Sequence, residues 1–252
     1  MEGPDPVSAF PAAFVPPGDL VYAVGDIHGS IALLDRLLAT IVRDAGTIDA
    51  ATRTLVFVGD YIDRGPDSAG VVERLISGIP EGFRTVCLKG NHEMMMLDYL
   101  ERPELLDHWL MNGAQETLAS YGIDVHDIEQ GDVDKAKCRD SLRAAIPETH
   151  RDFFSSLRLS ETIGDYFFVH AGVRPGAPLD EQRPEDLVWI REEFLNSSAT
   201  FGKIVVHGHT PVDAPEIRPN RIGIDTKAWL SGRLTALRLY GDTQKFLATG
   251  GA

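Results

Sequence analysis

The chain has 252 residues, 43% of them hydrophobic and 25% charged, with a formal net charge of −14. A chain of this length and composition can bury a full core, and its acidic balance repels nucleic acid and anionic lipid, which argues against both as main partners. No apolar run is long enough to span a membrane, and the acidic balance means that an anionic substrate must find its positive charge locally, from metal ions or arginines.

Met1 to Gly18 carries five prolines, two acids and no basic residue. It lacks the positive start and apolar middle of a secretory signal and reads as a flexible Pro-rich leader. Residues 19–252 then form one cytoplasmic domain. The first strand, Leu20 to Val24, ends in Gly25-Asp26-Ile27-His28-Gly29. Ser30 is the expected N-cap of a helix whose apolar stripe is Ile31, Leu34, Leu37, Leu38 and Ile41. A second apolar strand, Leu55 to Val58, runs into Gly59-Asp60-Tyr61-Ile62-Asp63-Arg64-Gly65. Pro66 opens the next helix, where a first turn tolerates proline.

The third strand, Thr85 to Leu88, ends in Gly90-Asn91-His92-Glu93. Three successive strand–loop–helix units thus place a glycine and polar residues at the strand's C-terminal end, where open α/β sheets bind ligands. From about residue 94 to 158 the pattern turns helical, with breaks at Pro103 and Gly113 and a helix expected over Asp132 to Ile146. This reads as a helical insertion covering one side of the crevice. Strands return at Tyr166 to Val169, ending in His170, and at Lys203 to Val206, ending in His207-Gly208-His209. A helix is expected from Pro184 to Leu195, carrying Trp189 and Arg191. Antiparallel strands close the chain, at Arg221 to Asp225 and Leu234 to Tyr240. Cys87 and Cys138 have no metal-type spacing, and Cys87 reads as a core residue.

The strand ends together offer Asp26, His28, Asp60, Asn91, His170 and one or both of His207 and His209. Asp26 and His28 lie two apart, so an extended backbone would point both the same way. Oxygen and imidazole donors without thiolates suit Mn, Fe or Zn, and so few acids favour two divalent ions sharing one carboxylate. Such a pair lowers the pKa of a water and orients it for in-line attack. His92, beside Asn91, is placed to protonate the leaving oxygen, with Asp63 holding its imidazole. Arg64 and Arg191 offer forks for phosphate oxygens. The pattern points to metal-assisted hydrolysis of a phosphate ester, and no P-loop is present.

These five blocks, from Gly25-Asp26-Ile27-His28-Gly29 to Gly208-His209-Thr210-Pro211, resemble those of the metallophosphoesterase superfamily. More narrowly they resemble its bacterial and phage-type PPP serine/threonine protein phosphatases. The resemblance implies an α/β fold, a two-sheet β-sandwich flanked by helices (αββα), with two ions at its edge, commonly Mn. It assigns Asp26, His28 and Asp60 to the first ion and Asp60, Asn91, His170 and His209 to the second. It makes His92 the general acid paired with Asp63, Arg64 and Arg191 the phosphate binders, and leaves His207 to packing. Lys227 departs from the pattern, which usually has glycine there. The activity implied is a phosphomonoesterase acting on phosphoproteins or phosphopeptides. Alternatives are symmetric dinucleoside tetraphosphate hydrolysis on the same fold and an inactive metal-stabilised scaffold.

Overall fold

The structure, a computed structural model, describes residues 13–124 and 133–250. Strand β1 (Asp19–Val24), helix α1 (Ile31–Ala45), β2 (Thr52–Phe57), α2 (Ser68–Ser77) and β3 (Arg84–Cys87) follow in order. The strands pair in parallel, Val21 opposite Thr54 and Leu55 opposite Thr85. A first sheet of five strands is completed by β9 (Thr235–Tyr240) and β10 (Thr243–Ala248), antiparallel on the other side of β1. The second five-stranded sheet has the order β4 (Ser160–Ile163), β5 (Tyr166–Val169), β6 (Ile204–His207), β8 (Arg221–Gly223), β7 (Glu216–Ile217).

Alternation along the strands explains the layering. In β1, Leu20, Tyr22 and Val24 face helices α1 and α2, while Val21 and Ala23 face the second sheet. There they meet Tyr166, Phe168, Val206 and Ile222. The opposite face of the second sheet, Phe167, Val169 and Val205, packs on Leu187, Ile190 and Phe194. Strands covered on both faces read as continuous apolar runs, and two mixed sheets flanked by helices are the result.

Several local expectations are corrected. Of the leader expected over residues 1–18, residues 1–12 lie outside the described residues, but Ala13 and Val15 are buried against the sheets, and Phe14 pairs through its backbone with Asp165. Ser30 sits at the N-cap position but donates to the carbonyl of His28 instead of capping. Pro66 precedes α2 and does not lie in its first turn; Asp67 is the N-cap, its side chain accepting from Gly70 N–H at 2.8 Å. The helix expected over Asp132 to Ile146 runs Lys135–Ala145, and Asp132 itself lies outside the described residues. The helix expected from Pro184 to Leu195 is two short ones, Pro184–Trp189 and Glu192–Leu195. Ile190 is extended and Arg191 has φ −131 and ψ −95, which frees Arg191 from the helix.

Between β3 and β4 the described residues are mainly helical: α3 (Asn91–Glu101), α4 (Leu106–Leu110), α5 (Ala114–Ser120), α6 (Lys135–Ala145) and α7 (Glu148–Ser156). No helix among the described residues is long and apolar enough to cross a membrane.

Candidate metal centre

The loops at the C-terminal ends of β1, β2, β3, β5 and β6 converge. Asp60 is their hub: its carbonyl accepts from the N–H groups of Ile27 and His28 at 3.0 and 2.9 Å, and its Oδ1 from His92 N–H at 3.1 Å. Among the described residues, six non-glycines have positive φ: His28, Asp60, Asp63, Arg64, His209 and Lys227. Each such residue costs about 1–2 kcal/mol, and strain of this kind persists only where surrounding structure imposes it. His28, with φ 46, therefore corrects the extended Asp26–His28 geometry expected from spacing. Gly90 and Gly208 are required by close approach, since a Cβ there would collide with the carboxylates of Asp60 and Asp26.

Two groups of side chains sharing Asp60 can each hold a metal ion. His28, Asp60 and His92 form one, Asp60, His170 and His209 the other, with ligand atoms within 4.8 Å of each other. His28 Nε2 is 3.5 Å from Asp60 Oδ2, and His170 Nε2 is 3.4 Å from Asp60 Oδ1 and 2.9 Å from Asn91 Oδ1. Asn91 and His92 are the first two residues of α3, with their backbone at its positive end. Asp26 stands outside both groups. Its Oδ2 accepts from His209 N–H at 3.0 Å, and its Oδ1 is buried with no partner. His207 also lies outside both groups, with its ring edge-on to Phe194.

The donors fit a cation. His28 Nδ1 and His170 Nδ1 lie 2.8 and 3.0 Å from the carbonyls of Ile62 and Val58, which fixes the proton there. The Nε2 lone pair of His170 then faces Oδ1 of Asp60 and of Asn91, acceptor against acceptor, an arrangement that positive charge relieves. That of His28, 3.5 Å from Asp60 Oδ2, accepts from Arg64 Nη1 at 3.1 Å. The Nε2 atoms of His92 and His209 are buried without hydrogen-bond partners among the described residues. Burial, with a neighbouring imidazole, pushes His28 down to about 3 and His209 down to about 2, so both are neutral ligand forms. Burial and then Asp225 and Asp60 raise Asp26 well above the usual carboxylate range. Burial takes Asp225 up to about 6.

His92 is built differently. Its Nδ1 is 2.7 Å from Asp63 Oδ2, which also accepts from Trp109 Nε1 at 2.7 Å, while Thr117 Oγ1 donates to Asp63 Oδ1 at 2.6 Å. Burial draws the His92 pKa down, but Asp60 and the Asp63 bond outweigh it and hold it above the ordinary value. His92 Nε2 points at the centre, 3.8 Å from Asp60 Oδ2.

Arg64 Nη1 lies 3.1 Å from His28 Nε2, and its guanidinium sits over the Trp229 ring, 5.7 Å from the centroid. Arg191 is exposed, its side chain has no hydrogen-bond or ion-pair partner among the described residues, and it lies close enough to act on His170, His209 and Asp225. Lys227 turns away and pairs with Asp213 at 2.7 Å.

Sequence reasoning missed Glu93 as a builder of this site. Its Oε2 accepts from Asp60 N–H at 3.0 Å and Gly90 N–H at 2.8 Å, its Oε1 from Tyr61 N–H at 2.7 Å. It thereby ties the β2 loop to the start of α3. Burial and then Asp60 push it up to about 7. Its position three residues after Gly90, at the start of a helix, was the available signal. Trp109 and Thr117 gave none.

This fold and this cluster define a metallophosphoesterase. The sequence model of the calcineurin-like phosphoesterase family matches residues 20–239, and the chain belongs to that family. Its relatives include a protein of Anoxybacillus flavithermus named bis(5'-nucleosyl)-tetraphosphatase PrpE (asymmetrical), 28% identical over 85% of this chain and 88% of its own. Serine/threonine-protein phosphatase 1 of Salmonella typhimurium is 28% identical over 87% of this chain and 91% of its own. A solved structure described as a candidate diadenosine tetraphosphatase is 25% identical, with TM-score 0.62, covering 95% of this chain and 100% of that one.

Proposed function

We propose that the chain hydrolyses phosphate monoesters of aliphatic alcohols, phosphoserine and phosphothreonine in proteins foremost. The observation that carries this reading is His92, held by Asp63 with its free Nε2 aimed at the centre. An alkoxide leaves only with a proton, so an ester substrate needs a built acid. A phosphate leaving from a polyphosphate is a weak base and needs none.

Asp26, His28 and Asp60 would hold one divalent ion, and Asp60, Asn91, His170 and His209 a second, Mn before Fe or Zn. Such ions, when bound, neutralise phosphate oxygens and make water a nucleophile at neutral pH. Arg64 and Arg191 would hold the outer phosphate oxygens and orient the ester. His92 Nε2–H would protonate the leaving oxygen, with Asp63 keeping the imidazole charged and correctly turned. A charged His92 donates a proton better than it ligates a metal, which sets it apart from the other histidines of the cluster.

A second reading is hydrolysis of dinucleoside tetraphosphates. It is favoured by the names of several relatives, which the Salmonella phosphatase does not share. Parallel kinetics with added Mn on a phosphoserine peptide and a dinucleoside tetraphosphate test the choice. A higher kcat/KM on the peptide is expected. Turnover of the dinucleotide alone would reverse the order.

A further inference from the structure

Directly after the buried Asp225, the segment from Lys227 to Gly232 is held unusually firmly for a surface turn. Lys227 has φ 59, its N–H bonds Asp225 Oδ1 at 2.9 Å and its Nζ bonds Asp213 at 2.7 Å. Ser231 Oγ donates to the carbonyl of Thr226, and Thr226 Oγ1 to that of Arg233. Ala228 is buried beneath, and Gly232 closes the turn in the left-handed region. This mount carries a Trp229 ring that is 42% exposed. A lone exposed aromatic is ordinary. One fixed on a rigid, strained turn against an arginine of the reaction centre is not, because rigid aromatics give contact area at small entropic cost.

We propose that Trp229 is a specificity-determining residue that stacks on a planar aromatic ring in the substrate, beside the phosphate bound by Arg64. The proposal rests on the phosphate-binding role of Arg64 and extends the substrate class beyond phosphoserine and phosphothreonine. Arg64 reaches the ring with its guanidinium while bonding towards His28. A phosphate on that fork therefore has its organic part next to the indole. Two substrates present such a ring there: a nucleotide through its base and phosphotyrosine through its phenyl group.

The test compares Trp229→Leu and Trp229→Phe with the wild type on three substrates. These are a phosphotyrosine peptide, the phosphoserine peptide of identical flanks, and diadenosine tetraphosphate. The expected result is a fall of about tenfold in the ratio of kcat/KM for a ring-bearing substrate to that for phosphoserine in the leucine variant, carried by KM. The phenylalanine variant keeps most of the ratio. Loss confined to the dinucleotide identifies the base as the ring, and loss confined to phosphotyrosine identifies the phenyl group. A ratio within about twofold of wild type for both ring-bearing substrates overturns the proposal, since equal losses mean that the indole only holds Arg64 in place. Wild type that turns over neither ring-bearing substrate also overturns it. If wild type spares phosphoserine but cleaves the dinucleotide, the ester reading above fails. The comparison of diadenosine tetraphosphate KM between leucine variant and wild type still decides the stack.

Discussion

Asp63 Oδ2 lies 2.7 Å from both His92 Nδ1 and Trp109 Nε1, so one buried carboxylate oxygen joins the reaction centre to the helical region after β3. This carboxylate, closed off from solvent, is held by hydrogen bonds donated from His92, Trp109 and Thr117. Its strength as an orienting group thus depends on residues remote in sequence.

Replacing His92 by Asn is expected to slow hydrolysis of an alkyl phosphate by about 10²–10⁴-fold. Hydrolysis of an aryl phosphate with an acidic phenol loses far less, because that leaving group needs no proton. Steady-state kinetics on the two substrates make the comparison. Equal losses would mean that His92 serves as a ligand and not as the acid.

Trp109→Phe removes one donor from Asp63 while keeping an aromatic in the core. Leaving a buried charged acceptor short of one hydrogen bond costs about 1.5–3 kcal/mol. The alkyl phosphate rate is expected to fall by about tenfold or more, with its acid-limb pH dependence displaced and metal content unchanged. An unaltered pH profile would contradict the link between Trp109 and His92.

Glu93→Gln sets an amide NH₂ against backbone N–H donors of Asp60, Gly90 and Tyr61, where only acceptors fit. A loss of stability of about 2–3 kcal/mol is expected in denaturant unfolding, with weaker metal binding. At a pH above the raised Glu93 value, where the carboxylate is ionised, stability equal to wild type would show that these bonds contribute little.

The metal-free chain should be less stable at pH 8 than at pH 6.5. Glu93, raised to about 7, and Asp26, raised well above its usual range, bind protons in the folded state that the unfolded chain has already lost. Their contribution is present at low pH and fades as pH rises through the folded value. The lowered histidines, His28 and His209, work in the opposite direction but only below about pH 6.5, their unfolded value. Above it the raised carboxylates and His92, itself held above the ordinary imidazole value, decide, and all of them act in the same direction. Thermal melts after chelation should therefore show a falling Tm from pH 6.5 to 8, and added Mn should remove the fall. A flat or rising profile would contradict the carboxylate crowding.

The strand ends were legible because local rules govern them: an apolar run, a glycine, then polar groups, repeated along β1, β2 and β3. That is why Asp60, His28, Asn91, His170 and His209 could be picked out before any coordinates. What stayed hidden was non-local or conformational. Nothing in the periodicity of Trp109 or Thr117 tells that each reaches Asp63 across about fifty residues. His28 in the left-handed region defeats an inference drawn from strand alternation. The break at Ile190 and Arg191 defeats one drawn from helical periodicity, and it leaves Arg191 outside both short helices. Lys227 could be flagged as a departure, but its pairing with Asp213 depends on two loops meeting.

The measurement that bears most directly on this account is metal content per active chain, by elemental analysis, in wild type and Asp60→Asn. Because Asp60 belongs to both ligand groups, the wild type should hold two divalent ions per active chain. The variant should lose metal from both sites and nearly all turnover. Full activity with a single ion per chain, or an Asp60→Asn variant that keeps both ions and its rate, would contradict the shared carboxylate on which the account depends.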